Sequence, residues 1–194
     1  MKVIVVDNNF SESKPQAPIF SGIADTALLL KNKPFFIPEF ANPCIARPFL
    51  VVQISRLGRS ISERFAHRYY NKVSIGIIFT AQNLWDEALK EGRPCDYARS
   101  FDGAAAVGKF VDIPESTQSF SFPARFSING TIGYDSANMN FSIESLIAHI
   151  SQYQLLRQGD LLFIGGQRES LEVHINEHLD GFLNDEHLLS FNIK

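Results

Sequence analysis

The sequence is short of the residues that cross-link, anchor or export a protein. It has two cysteines, Cys44 and Cys95, in 194 residues, which is too few for a disulfide framework. The apolar run near the start, at 3–6, is shorter than the core of a signal peptide and far shorter than a membrane-spanning helix. We therefore expect two free thiols and a cytoplasmic location.

Neither sign of charge is in large excess. The 18 lysines and arginines face 21 aspartates and glutamates, for a net charge of −3. This balance argues against a nucleic-acid partner and supplies no polybasic patch for a membrane partner. Repeats, low-complexity tracts and long linkers are also missing. We expect one domain over residues 1–194, with a short N-terminal strand and loop at 1–34 and a core at 35–194.

What the chain has instead is phenylalanine and short β-branched runs. Its 17 phenylalanines predict an aromatic β core or a subunit interface. The apolar runs are too short for helices and nearly continuous, which predicts strands buried on both faces. The predicted strands cover residues 2–6, 35–38, 49–54, 73–79, 161–164 and 188–193, with a further edge or bulged strand through Phe120, Phe122, Phe126 and Ile128 that ends at an Asn129-Gly130 turn.

The predicted helices are fewer and short. Ser60 begins a capping-box pattern that predicts a helix at 60–70. Asn83 is expected to cap a second helix. The clearest helical periodicity covers 143–153, with Ser142 as its N-cap. Because strands outnumber helices, the sequence predicts a β-rich α+β fold.

Three sequence blocks carry a family resemblance. They read GIIFTAQNLW at 76–85, RSFDGAAAVG at 99–108 and LLRQGDLLFIGGQ at 155–167. In this order and spacing they resemble the fumarylacetoacetate hydrolase family. The resemblance implies a rolled mixed β-sheet of that type, a dimer, and an active site at one end of the roll. It also implies an enzyme that acts on a small 2-oxo or 1,3-dicarbonyl acid.

The same resemblance implies a magnesium or manganese cofactor, held by a Glu-x-Glu strand and an aspartate. The best match for that strand, at 47–54, puts Arg47 and Phe49 at the two glutamate positions, and Ile78 stands at the aspartate position. Hard divalent cations prefer oxygen ligands, and none of these side chains has one. We therefore expect no metal cofactor and a degenerate active site.

Other family positions differ as well. Arg99 stands where the family has a lysine, and Ile164 where it has the first threonine of a Thr-Gly-Thr-Pro element, while Asp102 is retained. Asp102 could pair with Arg99 or stabilise a turn before Gly103. With the positions above, these residues form the candidate pocket; its catalytic residues stay unassigned.

Two functional readings follow. In the first, the chain is a catalytically silent homologue, a pseudoenzyme, that binds a small anionic metabolite without metal or serves as partner subunit of an active homologue, in a homodimer or heterodimer. Here Arg47 would bind a carboxylate through its guanidinium. In the second, the chain is an active hydrolase, hydratase, decarboxylase or isomerase. The alternative to carboxylate binding is that Arg47 and Arg99 have no ligand and are solvated or paired with nearby acids.

Overall fold

The structure is a computed structural model that describes residues 1–11, 13–113, 123–128, 131–135, 139–165 and 170–194. Its strands are β1 (Val3–Val6), β2 (Phe20–Ile23), β3 (Leu28–Leu29), β4 (Cys44–Ile54), β5 (Tyr70–Ala81), β6 (Ala105–Val107), β7 (Val111–Asp112), β8 (Pro123–Ser127), β9 (Thr131–Asp135), β10 (Leu161–Gly165), β11 (Leu171–Glu172), β12 (His178–Leu183) and β13 (Glu186–Asn192). The α-helices are α1 (Glu63–Ala66), α2 (Gln82–Lys90) and α3 (Ile143–Tyr153), and 3-10 turns cover Asp25–Ala27, His67–Tyr69 and Asp96–Arg99.

The strands form two sheets. The larger has the order β2-β1-β10-β4-β5-β6-β3, with β11 added beside β4 and β7 beside β5. It is mixed, because β1 with β10 and β3 with β6 are parallel while the other pairs are antiparallel. The smaller sheet, β13-β12-β8-β9, is antiparallel. The predicted fold class is confirmed: a β-rich α+β chain with a curled mixed sheet and a few short helices.

The two long central strands, β4 and β5, are buried on both faces, as their apolar runs predict. On one face Leu50 and Val52 join the larger hydrophobic cluster, which also holds the apolar side of α3. On the other face Phe49 and Val51 join a smaller cluster with residues of β1, β6 and β10. Successive strand residues point to opposite faces, so one continuous apolar run supplies both clusters.

The strand at the N-terminus lies inside the sheet. β1 is flanked by β10 on one side and by β2 on the other. It was expected from the sequence, whereas β2 and β3 were not. The side chain of Asp160 holds the start of β1, since its Oδ1 accepts the backbone N–H of Lys2 at 2.8 Å. Asp7, the residue after β1, therefore comes to the end of the sheet where β10 also stops.

Several element boundaries differ from the sequence expectations. Residues 35–38 form no strand; Phe35 makes a single bridge to Ile193. The helix expected at 60–70 is reduced to α1 and a 3-10 turn, because Ser60 has a φ of 51° and lies outside the helix. β4 and β5 extend beyond the predicted 49–54 and 73–79.

The second helix begins earlier than expected. Its N-cap is Ala81, without a side-chain cap, so the predicted role of Asn83 is wrong. Asn83 instead bonds across to residues 40 and 42. The third helix is confirmed at 143–153, and the Ser142 hydroxyl accepts the Ser145 N–H at 3.1 Å.

Two further sequence expectations concern the strand near residues 120–130 and membrane-spanning helices. The expected alternation at Phe120 and Phe122 and the Asn129-Gly130 turn lie outside the described residues, although β8 covers part of that strand. Among the residues that the structure describes, no helix has both the length and the apolar content needed to cross a membrane.

Candidate functional site

The pairing of β4 with β5 brings three of the candidate positions together. Arg47 lies directly opposite Ile78, and Phe49 lies two residues further along β4, opposite Gly76. Paired residues and their i+2 neighbours point to the same face of a sheet, so all three side chains share one face. Phe49 and Ile78 are each 1% exposed and belong to the smaller hydrophobic cluster. Hydrocarbon therefore fills the sheet surface beside Arg47.

Phe49 is held closely against the end of β10. A Cβ added to Gly165 would lie 2.3 Å from the Phe49 ring, closer than carbon atoms approach. Gly165 is also the register partner of Phe49. The absence of a side chain at Gly165 is thus what gives the ring its space.

Arg47 is half-buried and is held by two neutral groups. Its Nη1 donates to Thr80 Oγ1 at 3.0 Å, and its Nη2 donates to Gln82 Oε1 at 2.9 Å. Gln82 in turn donates from Nε2 to Asp86 Oδ1 at 2.6 Å. Thr80 ends β5 and Gln82 begins α2, so the strand-to-helix junction orients the guanidinium. In the described part of the chain, no carboxylate lies within ion-pair distance of Arg47.

Arg99 is in a different state. It is 6% exposed, and its two Nη atoms donate to the two carboxylate oxygens of Asp7 at 2.7 and 2.8 Å. Nη2 also donates to Ser21 Oγ at 2.7 Å, and the guanidinium lies 4.9 Å from the Trp85 ring centroid. This bidentate geometry is the strong form of an arginine–carboxylate pair. Arg99 is therefore paired with an acid, as one reading of the sequence held.

The charge of Arg99 affects the pKa of Arg47. Burial lowers the pKa of Arg47, and the charge of Arg99 lowers it further, while Asp7 and Asp86 act in the opposite direction. Burial disfavours the charged form because water solvates a cation better than the protein interior does. The site thus holds one cation with a counter-ion and one cation, at Arg47, bonded to neutral oxygens.

The other two candidate positions lie elsewhere. Ile164 belongs to the larger hydrophobic cluster, on the face of β10 opposite to Phe49. Asp102 is exposed in the turn before Gly103, whose φ is +80°, and Ala104 N–H donates to Phe101 O across that turn. Because Arg99 pairs with Asp7, the expectation that Asp102 pairs with Arg99 is wrong, and the turn reading fits.

The sequence expectations missed several residues of this site. Asp7 and Ser21 lie in the segment read as a short strand and loop, yet both bind Arg99. An acid directly after an apolar strand is a signal of a strand-end site, and Asp7 shows it. Trp85, for which the sequence predicted no role at this site, is half-buried beside Arg99.

The residues at the positions that the resemblance assigns to metal ligands do not fit a hard divalent cation. A guanidinium, a phenyl ring and a branched alkyl group offer no oxygen, and the guanidinium adds a positive charge where a cation would lie. Asp7, one of the acids whose charge acts on Arg47, has both carboxylate oxygens bonded to Arg99. Of these three residues only Arg47 carries hydrogen-bond donors, and its positive charge suits an anion rather than a cation.

Comparisons with known proteins place this geometry in a family. A model of the fumarylacetoacetate (FAA) hydrolase C-terminal family matches residues 5–194. Among curated relatives, the mitochondrial oxaloacetate tautomerase FAHD1 of Bos taurus is 21% identical over 201 residues, which cover 99% of this chain and 91% of that protein. The oxaloacetate tautomerase YcgM of Escherichia coli is 24% identical over 174 residues, with 84% and 80% covered.

Solved structures agree on the fold. The fumarylpyruvate hydrolase from Pseudomonas aeruginosa, solved in complex with Mn²⁺ and pyruvate, superposes with a TM-score of 0.89 at 18% identity, covering 100% of this chain and 89% of that one. The 2-hydroxyhepta-2,4-diene-1,7-dioate isomerase from Mycobacterium marinum gives 0.85 at 20% identity, covering 99% and 73%. The resemblance read from the three sequence blocks is thereby confirmed, and the chain belongs to the fumarylacetoacetate hydrolase family.

Proposed function

We propose that this chain is a family member that binds a small carboxylate at Arg47 without a divalent metal and that it has lost the metal-dependent chemistry. The observation that carries the proposal is the state of Arg47, a half-buried cation bonded to two neutral oxygens. Removing a cation from water costs free energy unless another charge compensates. A bound carboxylate would supply that charge.

Arg47 also has donors left for a ligand. A guanidinium has five N–H groups, and two of them are used by Thr80 and Gln82. Its Nε has no partner among the described residues. The one fully buried side-chain nitrogen or oxygen without a partner, in the same part of the chain, is Nε of Arg99. Nε of Arg47 and an Nη hydrogen that Thr80 and Gln82 do not use have the fork geometry that fits a carboxylate.

The loss of metal chemistry rests on the side chains present at the family positions. Hydrolysis or tautomerisation assisted by a hard cation needs oxygen ligands to hold the ion and a group that accepts a proton. Arg47, Phe49 and Ile78 provide neither, and the guanidinium of Arg99 is bonded to Asp7. The ligand expected from the family is a 2-oxo acid, held by charge rather than by chelation.

Calorimetric titration with pyruvate, in buffer containing EDTA, tests the binding proposal. We expect binding by the wild type and a loss of at least about tenfold in affinity in Arg47→Gln, because charge-assisted hydrogen bonds are removed. Arg93→Gln is the matched control, since Arg93 lies just beyond α2 and is already paired with Glu87 and Glu91. Equal binding in the wild type and Arg47→Gln, or none in either, would contradict the proposal.

An active enzyme is the second candidate. Two curated relatives that cover most of this chain are oxaloacetate tautomerases, which favours a reaction on a small 2-oxo acid. An oxaloacetate tautomerisation assay with added Mg²⁺ or Mn²⁺, repeated with EDTA, separates the candidates. Turnover that needs the metal would support the enzyme and overturn the silent reading. Turnover at the rate of buffer alone would support the binding module.

The proposal includes a dimer, either of this chain with itself or with an active homologue as its partner subunit. Family resemblance is its support. Sedimentation equilibrium tests the homodimer by looking for twice the 21.8 kDa mass of one chain. The cytoplasmic location is also kept as a proposal, since the free Cys44 and Cys95 fit a reducing compartment. Cell fractionation tests it.

A further inference from the structure

We infer that the site at Arg47 selects monocarboxylates over dicarboxylates. The inference rests on the proposed function, because it concerns which carboxylates the same guanidinium accepts. It comes from counting the charges around Arg47. Among the residues that the structure describes at this site, Arg47 is the one cation without a carboxylate partner, and the two acids whose charges act on it, Asp7 and Asp86, are each already hydrogen-bonded to another residue.

The first acid, Asp7, removes Arg99 from the set of available ligand groups. Both Asp7 oxygens are bonded to Arg99, and Ser21 Oγ takes a further donor of the same guanidinium. Arg99 is 6% exposed, so a second ligand carboxylate would have to displace Asp7 in order to reach it. The exchange would leave the buried Arg99 without its bidentate carboxylate and Asp7, whose side chain is 30% exposed, without its guanidinium, and the loss of this pair opposes it.

The second acid, Asp86, lies on the solvent side. It is exposed on the first turn and a half of α2, and it accepts a hydrogen bond from the same Gln82 that holds Arg47. Asp7 and Asp86 are the two negative charges that act on Arg47. One carboxylate of a ligand can pair with Arg47. A second carboxylate on the same ligand would be repelled by the negative charges of Asp7 and Asp86.

Phe49 and Ile78, on the described sheet face beside Arg47, offer a second carboxylate no hydrogen-bond donor. Phe49 and Ile78, beside Arg47 on the same sheet face, are each 1% exposed and belong to an apolar cluster. A carboxylate against these side chains would lose water without gaining a donor. The ligand class that meets fewest unfavourable contacts is thus a small acid with one carboxylate and an uncharged remainder.

Calorimetry at low, constant ionic strength with EDTA tests the selectivity. The probes are pyruvate and propionate, with one carboxylate, and malonate and succinate, with two. We expect the monocarboxylates to bind at least about threefold more tightly, because the second charge is repelled through partly screened distances. The preference should shrink as salt is added.

The variant Asp86→Asn examines the cause without disturbing the fold, since Asp86 is exposed and asparagine keeps an oxygen for Gln82. We expect about a twofold gain for monocarboxylates and about a fourfold gain for dicarboxylates, since the effect scales with ligand charge. Glu87→Gln is the matched control, because it removes the same charge one residue further along α2. It should leave the ratio unchanged.

The outcomes separate the two proposals. If no carboxylate binds the wild type, or if Arg47→Gln binds as well as the wild type, both proposals fail. If malonate and succinate bind as tightly as the monocarboxylates and Arg47→Gln loses all of them, the selectivity fails and the binding site stands. If Asp86→Asn and Glu87→Gln change the ratio equally, the charge argument at Asp86 fails. If the wild type prefers monocarboxylates and the affinity ratio decreases in Asp86→Asn but not in Glu87→Gln, both the binding site and its selectivity are supported.

Discussion

Two carboxylates in the described part of the chain, those of Asp7 and Asp160, each have a defined set of donors. Asp7 is committed to the side chain of Arg99 at the candidate site. Asp160, which is 1% exposed, accepts the backbone N–H of Lys2 and of Arg157, both at 2.8 Å, and lies 3.2 Å from Lys2 Nζ. These bonds join the starts of β1 and β10, the parallel pair that places Asp7 at the end of the sheet.

Replacing Asp160 with alanine should destabilise the protein by about 3 kcal/mol, because two backbone N–H groups and the Lys2 ammonium lose their buried acceptor. Urea unfolding measures the change. The comparison is Asp112→Ala, since Asp112 is exposed and its 3.9 Å contact with Lys72 is a surface ion pair. Such pairs contribute about 0.5 kcal/mol or less. Similar losses in the two variants would show that the Asp160 bonds are not what holds β1.

Cys44 links stability to alkaline pH. It is 3% exposed, and burial raises the pKa of its thiol from 9.0 to about 12. Above pH 9 the unfolded thiol ionises while the folded one does not. The stability that this thiol contributes is therefore complete below pH 9 and is lost progressively up to about pH 12.

Between pH 8 and pH 10 we therefore expect the wild type to lose about 1.5 kcal/mol more unfolding free energy than Cys44→Ala. Urea unfolding of both proteins at the two pH values gives this difference, and any cavity created by the substitution cancels because it is present at both. Cys95→Ala is the control, since Cys95 is only half-buried and should change the pH dependence less. Parallel pH profiles for wild type and Cys44→Ala would contradict the linkage.

Elements set by local chemistry were predictable, and those set by distant contacts were not. α3 follows from its own cap and periodicity, and its predicted range is the observed one. α2 begins at Gln82 rather than after Asn83, because the Gln82 N–H donates to Pro43 O and the Asn83 side chain bonds to the segment at 40–42. The sequence of α2 alone does not reveal that residues 40–42 will lie beside the start of the helix.

The N-cap of α3 offers a direct test of that local chemistry. Ser142→Ala should cost about 1 kcal/mol, because the Ser145 N–H loses its acceptor, whereas Ser142→Gly should cost only a few tenths. Thermal or urea unfolding of the pair measures both. The two variants remove the same hydroxyl, so the difference between them reports how much better glycine suits the N-cap position than alanine, and a negligible cost in both would contradict the capping role of Ser142.

At the scale of the whole molecule, the candidate site depends on strands that both clusters share. The pairing of Arg47 with Ile78 was expected to matter from the family resemblance, and the register of β4 and β5 brings them together. Asp7 was not foreseen as the partner of Arg99, since their contact spans 92 positions of sequence. Sequence patterns reveal which residues alternate in a strand, but a pairing across the fold depends on the order of strands in the sheet.

This shared construction predicts cooperative unfolding. β4 and β5, of 11 and 12 residues, contribute to the clusters on both faces, so neither face can be lost while the other persists. Trp85, the one tryptophan of the chain, reports on the candidate site through its contact with Arg99. We expect its fluorescence and the far-ultraviolet circular dichroism to give the same urea midpoint, and to shift together in Arg47→Gln. A fluorescence transition at lower urea would mean that the site end, with α2, unfolds as a separate and weaker unit.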